Sequence, residues 1–97
     1  MSFSRYYLMT AKDGQVEDFR AALVGLAAKV KRLDGCEGVE VFQEADAQTR
    51  FHFIERWASI EAHKAGAPLL GKDAFAPIMA AIAGPPTSAN LNPVKLD

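Results

Sequence analysis

Between residues 16 and 33 the apolar side chains Val16, Phe19, Leu23, Leu26, Val30 and Leu33 recur at alternating steps of three and four. Glu17, Asp18, Arg20, Lys29, Lys31 and Arg32 fall mostly elsewhere. Only an α-helix gathers such residues into one stripe, and a helix striped in this way has to lie on an apolar partner. Its acidic residues come early and its basic ones late, which complements the helix dipole. In the preceding turn, Lys12-Asp13-Gly14, Asp13 is placed to accept from the first free amides, and Asp34-Gly35 supplies a left-handed stop.

The flanking segments follow a different period. From Phe3 to Thr10, Phe3, Arg5, Tyr7 and Met9 alternate with Ser4, Tyr6, Leu8 and Thr10, and few positions on either face are polar. This predicts a strand that needs cover on both sides. Val39 to Glu44 reads as a second strand, Ala45 to Thr49 as a hairpin loop and Arg50 to Ala58 as a third strand. The third strand carries Phe51, Phe53, Glu55 and Trp57 on one face, with His52, Ile54 and Arg56 on the other. Ser59 stands where an N-cap belongs, opening a short helix that Gly66 and Pro68 interrupt. Asp73 to Ala83 sets Phe75, Ile78, Met79 and Ile82 on one helical face before Gly84-Pro85-Pro86 ends it. Thr87 to Val94 is left for a fourth strand, and Pro93 implies a sheet edge or an irregular end.

The order β-α-β-β-α-β predicts a single α+β domain over residues 1–97, a four-stranded antiparallel sheet with helices on one side. Tyr6, Leu8, Phe42 and Ile54 would then project from the uncovered side, a patch too apolar to leave in water, and sheet-to-sheet dimerisation would cover it. A chain this short leaves about 35–40 % of its unfolded surface exposed, which also favours burial between subunits.

Composition removes several function classes. Eleven Lys and Arg against 12 Asp and Glu leave a net charge of −1, so nucleic acid is not expected as a partner. One Cys and two His cannot close a structural zinc site without carboxylates, and the single Cys36 fits a reducing cytoplasm. The N-terminal residues show no export signal, and the most apolar window, Ala74 to Ala83, is too short for a bilayer. No phosphate-cradling glycine loop, Gly-x-Ser-x-Gly elbow or zincin histidine pair is present, which argues against nucleotide and hydrolase chemistry.

The run Gly35-Cys36-Glu37-Gly38-Val39-Glu40-Val41, followed by Phe51-His52-Phe53-Ile54-Glu55-Arg56-Trp57, resembles the antibiotic biosynthesis monooxygenase family. The Gly14 turn, Ser59 and Glu61 after the tryptophan, and the final Leu91-Asn92-Pro93-Val94 keep the same order and spacing. The resemblance implies a ferredoxin-like subunit that pairs through its sheet into a dimeric α+β barrel, with an apolar pocket between sheet and helices. Characterised members include cofactor-independent oxygenases that convert phenolic or quinol-type substrates to quinones, and haem-degrading enzymes. It therefore implies a monooxygenase with no bound cofactor or metal, using molecular oxygen as co-substrate on an enolisable aromatic small molecule. The alternative is a non-catalytic small-molecule-binding dimer.

Trp57 matches the family's tryptophan and is expected to wall the pocket. Tyr7, seven residues before the turn glycine, stands where haem-degrading relatives carry an asparagine. Relatives' histidine falls nine or ten residues after the tryptophan, where this chain has Gly66 and Ala67; His63, one turn earlier, is either the general base in its place or a partly exposed helix histidine with no task. These departures count against haem degradation. Phe53, Glu55, Arg5, Met9, Phe19 and Leu23 are expected to complete the substrate site, with Arg5 as the ion-pair partner of Glu55. His52 and Arg56 are assigned to the dimer surface, and Cys36 to apolar packing.

Overall fold

A computed structural model describes residues 2–96. In chain order the elements are β1 (Phe3–Thr10), α1 (Val16–Val30), β2 (Cys36–Glu44), β3 (Ala47–Trp57), α2 (Ile60–Gly66), the 3-10 turns Ala67–Leu70 and Lys72–Ala74, α3 (Ala76–Ala81) and β4 (Thr87–Leu91). The strands form one antiparallel sheet in the order β2-β3-β1-β4, the arrangement expected from β-α-β-β-α-β. Of the edge position or irregular end that Pro93 implied, β4 takes the edge, and the strand stops at Leu91, two residues before the proline.

Register decides which side chains meet the helices. Phe3 lies opposite Trp57, Arg5 opposite Glu55, Tyr7 opposite Phe53 and Met9 opposite Phe51. Because side chains alternate across a strand, these eight share one face of the sheet. The stripe of α1 closes over that face: Phe19, Leu23, Leu26 and Val30 are buried, together with Phe51, Phe53 and Trp57. Each such side chain contributes about 1.5–3 kcal/mol on leaving water, so this layer holds most of the driving force for folding.

Among the described residues, no helix covers the opposite face. Phe42 is 50 % exposed, and Tyr6, Leu8 and Ile54 are only half-buried. Polar links lie among them: Tyr6 Oη meets His52 Nδ1 at 2.6 Å, His52 Nε2 meets Glu44 Oε2 at 2.7 Å, and Arg56 pairs with Glu40.

Several boundaries differ from the sequence reading. Gln15, not Asp13, occupies the N-cap of α1 and no side chain caps it; Asp13 sits inside a turn closed by Gln15 N–H donating to the Lys12 carbonyl at 3.0 Å, two positions too early. The hairpin between β2 and β3 is tighter than expected. Glu44 already pairs with Ala47, and the Gln43 side-chain amide donates to the Gln48 carbonyl, so Ala47, Gln48 and Thr49 extend β3. Backbone pairing is indifferent to side-chain polarity at a wet hairpin end. The α3 helix covers only Ala76–Ala81, preceded by 3-10 turns, and β4 stops at Leu91.

Candidate functional site

Between the inner sheet face and the short helices lies a cavity of about 140 Å³. Tyr7 and Met9 of β1 and Phe53, Glu55 and Trp57 of β3 form its base. Leu26 of α1 and His63 of α2 close two sides, and Leu70, Phe75, Ile78, Met79, Ile82 and Pro86 cover it. The apolar stripe read in residues 75–82 thus becomes the cover, and four of its side chains face the cavity. An open groove of about 630 Å³ elsewhere, along Ser2, Ser59, Asn90 and Asn92, offers only the exposed Glu61 as an ionisable side chain among the described residues.

His63 arrives there through the phase of α2. Ser59 Oγ accepts from the Ala62 amide at 3.1 Å, fixing the helix start, and one turn on the imidazole lies against Phe3 and Trp57, with ring centroids 5.6 and 5.4 Å away. Burial first, then Arg5 and Lys64, hold the His63 pKa below its ordinary value, so the ring is neutral near pH 7. At the positions nine and ten residues after Trp57, Gly66 lies directly against the indole and Ala67 contributes only a methyl to the cavity wall.

Glu55 is the buried carboxyl of the sheet face, 6 % exposed. Trp57 Nε1 donates to its Oε1 at 3.0 Å, and His63 Nε2 stands 4.0 Å from the same oxygen, beyond hydrogen-bond reach. Burial pushes its pKa up, opposed by the indole hydrogen bond and more weakly by Arg5. The expected Arg5–Glu55 ion pair is not formed. Arg5 instead donates from its guanidinium to Asn90 Oδ1 at 2.7 Å and from Nε to Tyr7 Oη at 3.2 Å, lying 4.9 Å from the Tyr7 ring centroid. Asn90 is its cross-strand neighbour on β4, which draws the charge toward the wet edge.

Of the residues singled out from sequence, Tyr7, Met9, Phe53, Glu55, Trp57 and His63 meet around one cavity, and Arg5, Phe19 and Leu23 lie outside its wall. Phe19 and Leu23 are fully enclosed in solid core, Phe19 against Phe51 at 5.5 Å between ring centroids. Only Leu26, one step further along the α1 stripe, reaches the cavity. His52 and Arg56 lie on the opposite sheet face, as read from alternation. Cys36 is half-buried, its thiol pushed up by burial and donating to the Gly38 carbonyl at 3.7 Å. Among the described residues no three His, Cys, Asp or Glu side chains converge as metal ligands, and no helix is long and apolar enough to cross a membrane.

Residues 3–65 match the family described as antibiotic biosynthesis monooxygenase. The fold matches a Chloroflexus aurantiacus protein that carries the same family name, with 27 % identity over 100 % of this chain and 97 % of that one and a TM-score of 0.80. It also matches SnoaB, a cofactor-independent oxygenase from Streptomyces nogalater, with 14 % identity over 98 % and 95 % of the two chains and a TM-score of 0.83. Protein Rv0793 of Mycobacterium tuberculosis aligns over 99 % and 98 % of the two chains at 18 % identity, with a TM-score of 0.80. No curated protein matches the sequence.

Proposed function

Because this chain belongs to the antibiotic biosynthesis monooxygenase family, we propose that it is a cofactor-independent monooxygenase acting on a phenol, quinol-type or similar enolisable aromatic compound. The observation that carries the reading is a neutral imidazole and an indole wall meeting in one apolar cavity. His63 takes the hydroxyl proton, Trp57 flanks the ring, and Tyr7 Oη, already held by Arg5, is free to donate to a substrate oxygen. The electron-rich anion then reacts with molecular oxygen. In the simplest case one phenol and one dioxygen give one benzoquinone and one water: the ring carbon gains one oxygen atom as the new carbonyl, and the other oxygen leaves with the hydroxyl proton and the displaced ring hydrogen. The protein's part is to deprotonate, align and exclude water. The description of SnoaB as a cofactor-independent oxygenase supports this economy.

The active form in this reading is a homodimer joined through the face that carries Phe42, Ile54, Tyr6 and Leu8, in the reducing compartment that the unpaired Cys36 suits. A cavity of about 140 Å³ has no room for a tetrapyrrole, which speaks against haem as substrate. A non-catalytic binding dimer is the second reading, favoured by the 4.0 Å gap between His63 and the carboxyl that would orient it.

Oxygen uptake over a panel of monocyclic and polycyclic phenols tests the assignment. The enzyme should consume oxygen in step with quinone formation, and His63→Ala should slow this roughly 10²–10⁴-fold. Binding without uptake above background across the panel, with affinity unchanged in His63→Ala, would leave the binding dimer instead.

A further inference from the structure

Glu55 is the one charged side chain among the described residues that the fold buries. The other carboxyls that pair with arginine, Glu17, Glu40 and Glu44, all do so near the surface. Glu55 has no such cation and keeps a single hydrogen bond, from Trp57, on Oε1. A carboxylate in apolar surroundings is costly unless it is paired. Anchoring the indole requires only an acceptor, which the uncharged amide of a glutamine would supply without that cost. A titratable group is therefore more than holding Trp57 requires, and Oε2, which takes part in no hydrogen bond among the described residues, belongs to a side chain that lines the cavity.

We propose that Glu55 touches the ligand: Oε2 accepts a hydrogen bond from the hydroxyl of a one-ring phenol seated on Trp57, and so orients the oxygen whose proton His63 takes in the proposed reaction. The assignment rests on the cavity being the ligand site and adds the atom that receives the hydroxyl. The ring count follows from volume, since an apolar cavity of about 150 Å³ holds one benzene and this one measures about 140 Å³. Around the carboxyl stand Arg5 and Tyr7 from β1, Cys36 from β2, His63 from α2 and, beyond Arg5, Asn90 from β4. The α1 and α3 helices bring only apolar side chains, Leu26, Ile78 and Met79, to the cavity.

Trp57 is the only tryptophan, so its emission reports the cavity directly. The test is titration with p-cresol and with toluene, which differ by one hydroxyl, between about pH 4 and 9, bracketing the carboxyl but below phenol ionisation. In the wild type p-cresol should bind about tenfold tighter than toluene once Glu55 is ionised, a hydrogen bond to a charged acceptor being the stronger kind. That ratio should fall as Glu55 protonates. Glu55→Gln should lower the ratio and flatten its pH dependence, whereas His63→Gln should keep the dependence. A pH-independent ratio in the wild type overturns the proposal, as does a wild-type profile in Glu55→Gln or its loss in His63→Gln alone. Should Glu55→Gln fail to fold, the wild-type and His63→Gln profiles still decide. No turnover is measured, so inactivity toward oxygen leaves this assignment standing, while the absence of any response to either ligand removes the ligand site and the assignment together.

Discussion

Gly66 lies against the face of Trp57: a Cβ added there would stand 3.1 Å from the indole Cη2 and 3.3 Å from Cζ3. The indole is held in turn by its bond to Glu55 and is 1 % exposed, so it has nowhere to swing. Gly66→Ala gains up to about 1 kcal/mol of helix propensity and loses about 1–3 kcal/mol to overpacking. We expect the loss to win, with a Tm several degrees lower, a changed near-UV circular dichroism signal from Trp57 and weaker aromatic binding. An unchanged spectrum would mean that the contact is slack.

Gly35 is fixed by both backbone and space. Its φ is +85° and a Cβ would meet Ala62 Cβ at 2.5 Å, so the turn entering β2 and the inner side of α2 depend on its having no side chain. Gly35→Ala should cost about 2–4 kcal/mol, combining a left-handed penalty with a clash. Gly25 in α1 has no heavy atom within 4 Å of such a Cβ, and Gly25→Ala should stabilise by about 0.5–1 kcal/mol. Urea denaturation of the two variants side by side checks both signs.

Glu55 and His63 pull stability in opposite directions with pH. Burial raises the Glu55 pKa, so its contribution is full below the unfolded carboxyl's value and is lost as pH rises through the folded one. Burial lowers the His63 pKa, so its contribution is full above the unfolded imidazole's value and is lost as pH falls through the folded one. Glu55→Gln should therefore match the wild type most closely near about pH 4 and gain on it toward about pH 8, while His63→Gln should gain on it toward acid. Denaturation midpoints across that range give the two slopes, and parallel curves for wild type and Glu55→Gln would refute the first.

Met79 covers the cavity while remaining 65 % exposed, whereas Ile78 beside it is buried. Met79→Ala should therefore enlarge the opening at under about 1 kcal/mol of stability, against about 2–5 kcal/mol for Ile78→Ala. We expect Met79→Ala to bind 1-naphthol about tenfold more tightly than the wild type does, with p-cresol little changed. Fluorescence titration of Trp57 measures both.

Phe42 and Ile54 stand on the sheet face that the proposed dimer would cover. Phe42→Glu places a charge where it would be desolvated, and should convert a dimer into a monomer in sedimentation without loss of helical circular dichroism. A wild-type protein that sediments as a monomer would remove the dimer from the proposal.

What was legible in the sequence is what periodicity controls. Alternation along β1 and β3 placed Tyr7, Met9, Phe53, Glu55 and Trp57 on one face, and the α1 stripe named its buried residues. The Arg5 partner was not legible, because Asn90 becomes its neighbour only through the pairing of β4 with β1, 85 residues away in the chain. Depth was hidden as well. Phe19, Leu23 and Leu26 share one stripe, and only the packed tertiary structure decides which of them meets empty space and which meets Phe51. The Asp13 cap failed for a local reason: the backbone turn closed by Gln15 on Lys12 leaves Asp13 two positions short of the N-cap.

The polar groups of the cavity base sit on β1 and β3, the two inner strands, each hydrogen-bonded to a neighbour on both sides. The part that meets the rest of a ligand is a run of single turns between residues 67 and 86. In the proposed reading, reactivity and selectivity are thus carried by separable stretches of chain: an insertion or exchange between residues 67 and 86 could retarget the protein to larger molecules while leaving Tyr7, Glu55 and Trp57 on the sheet, and His63 on α2, in register.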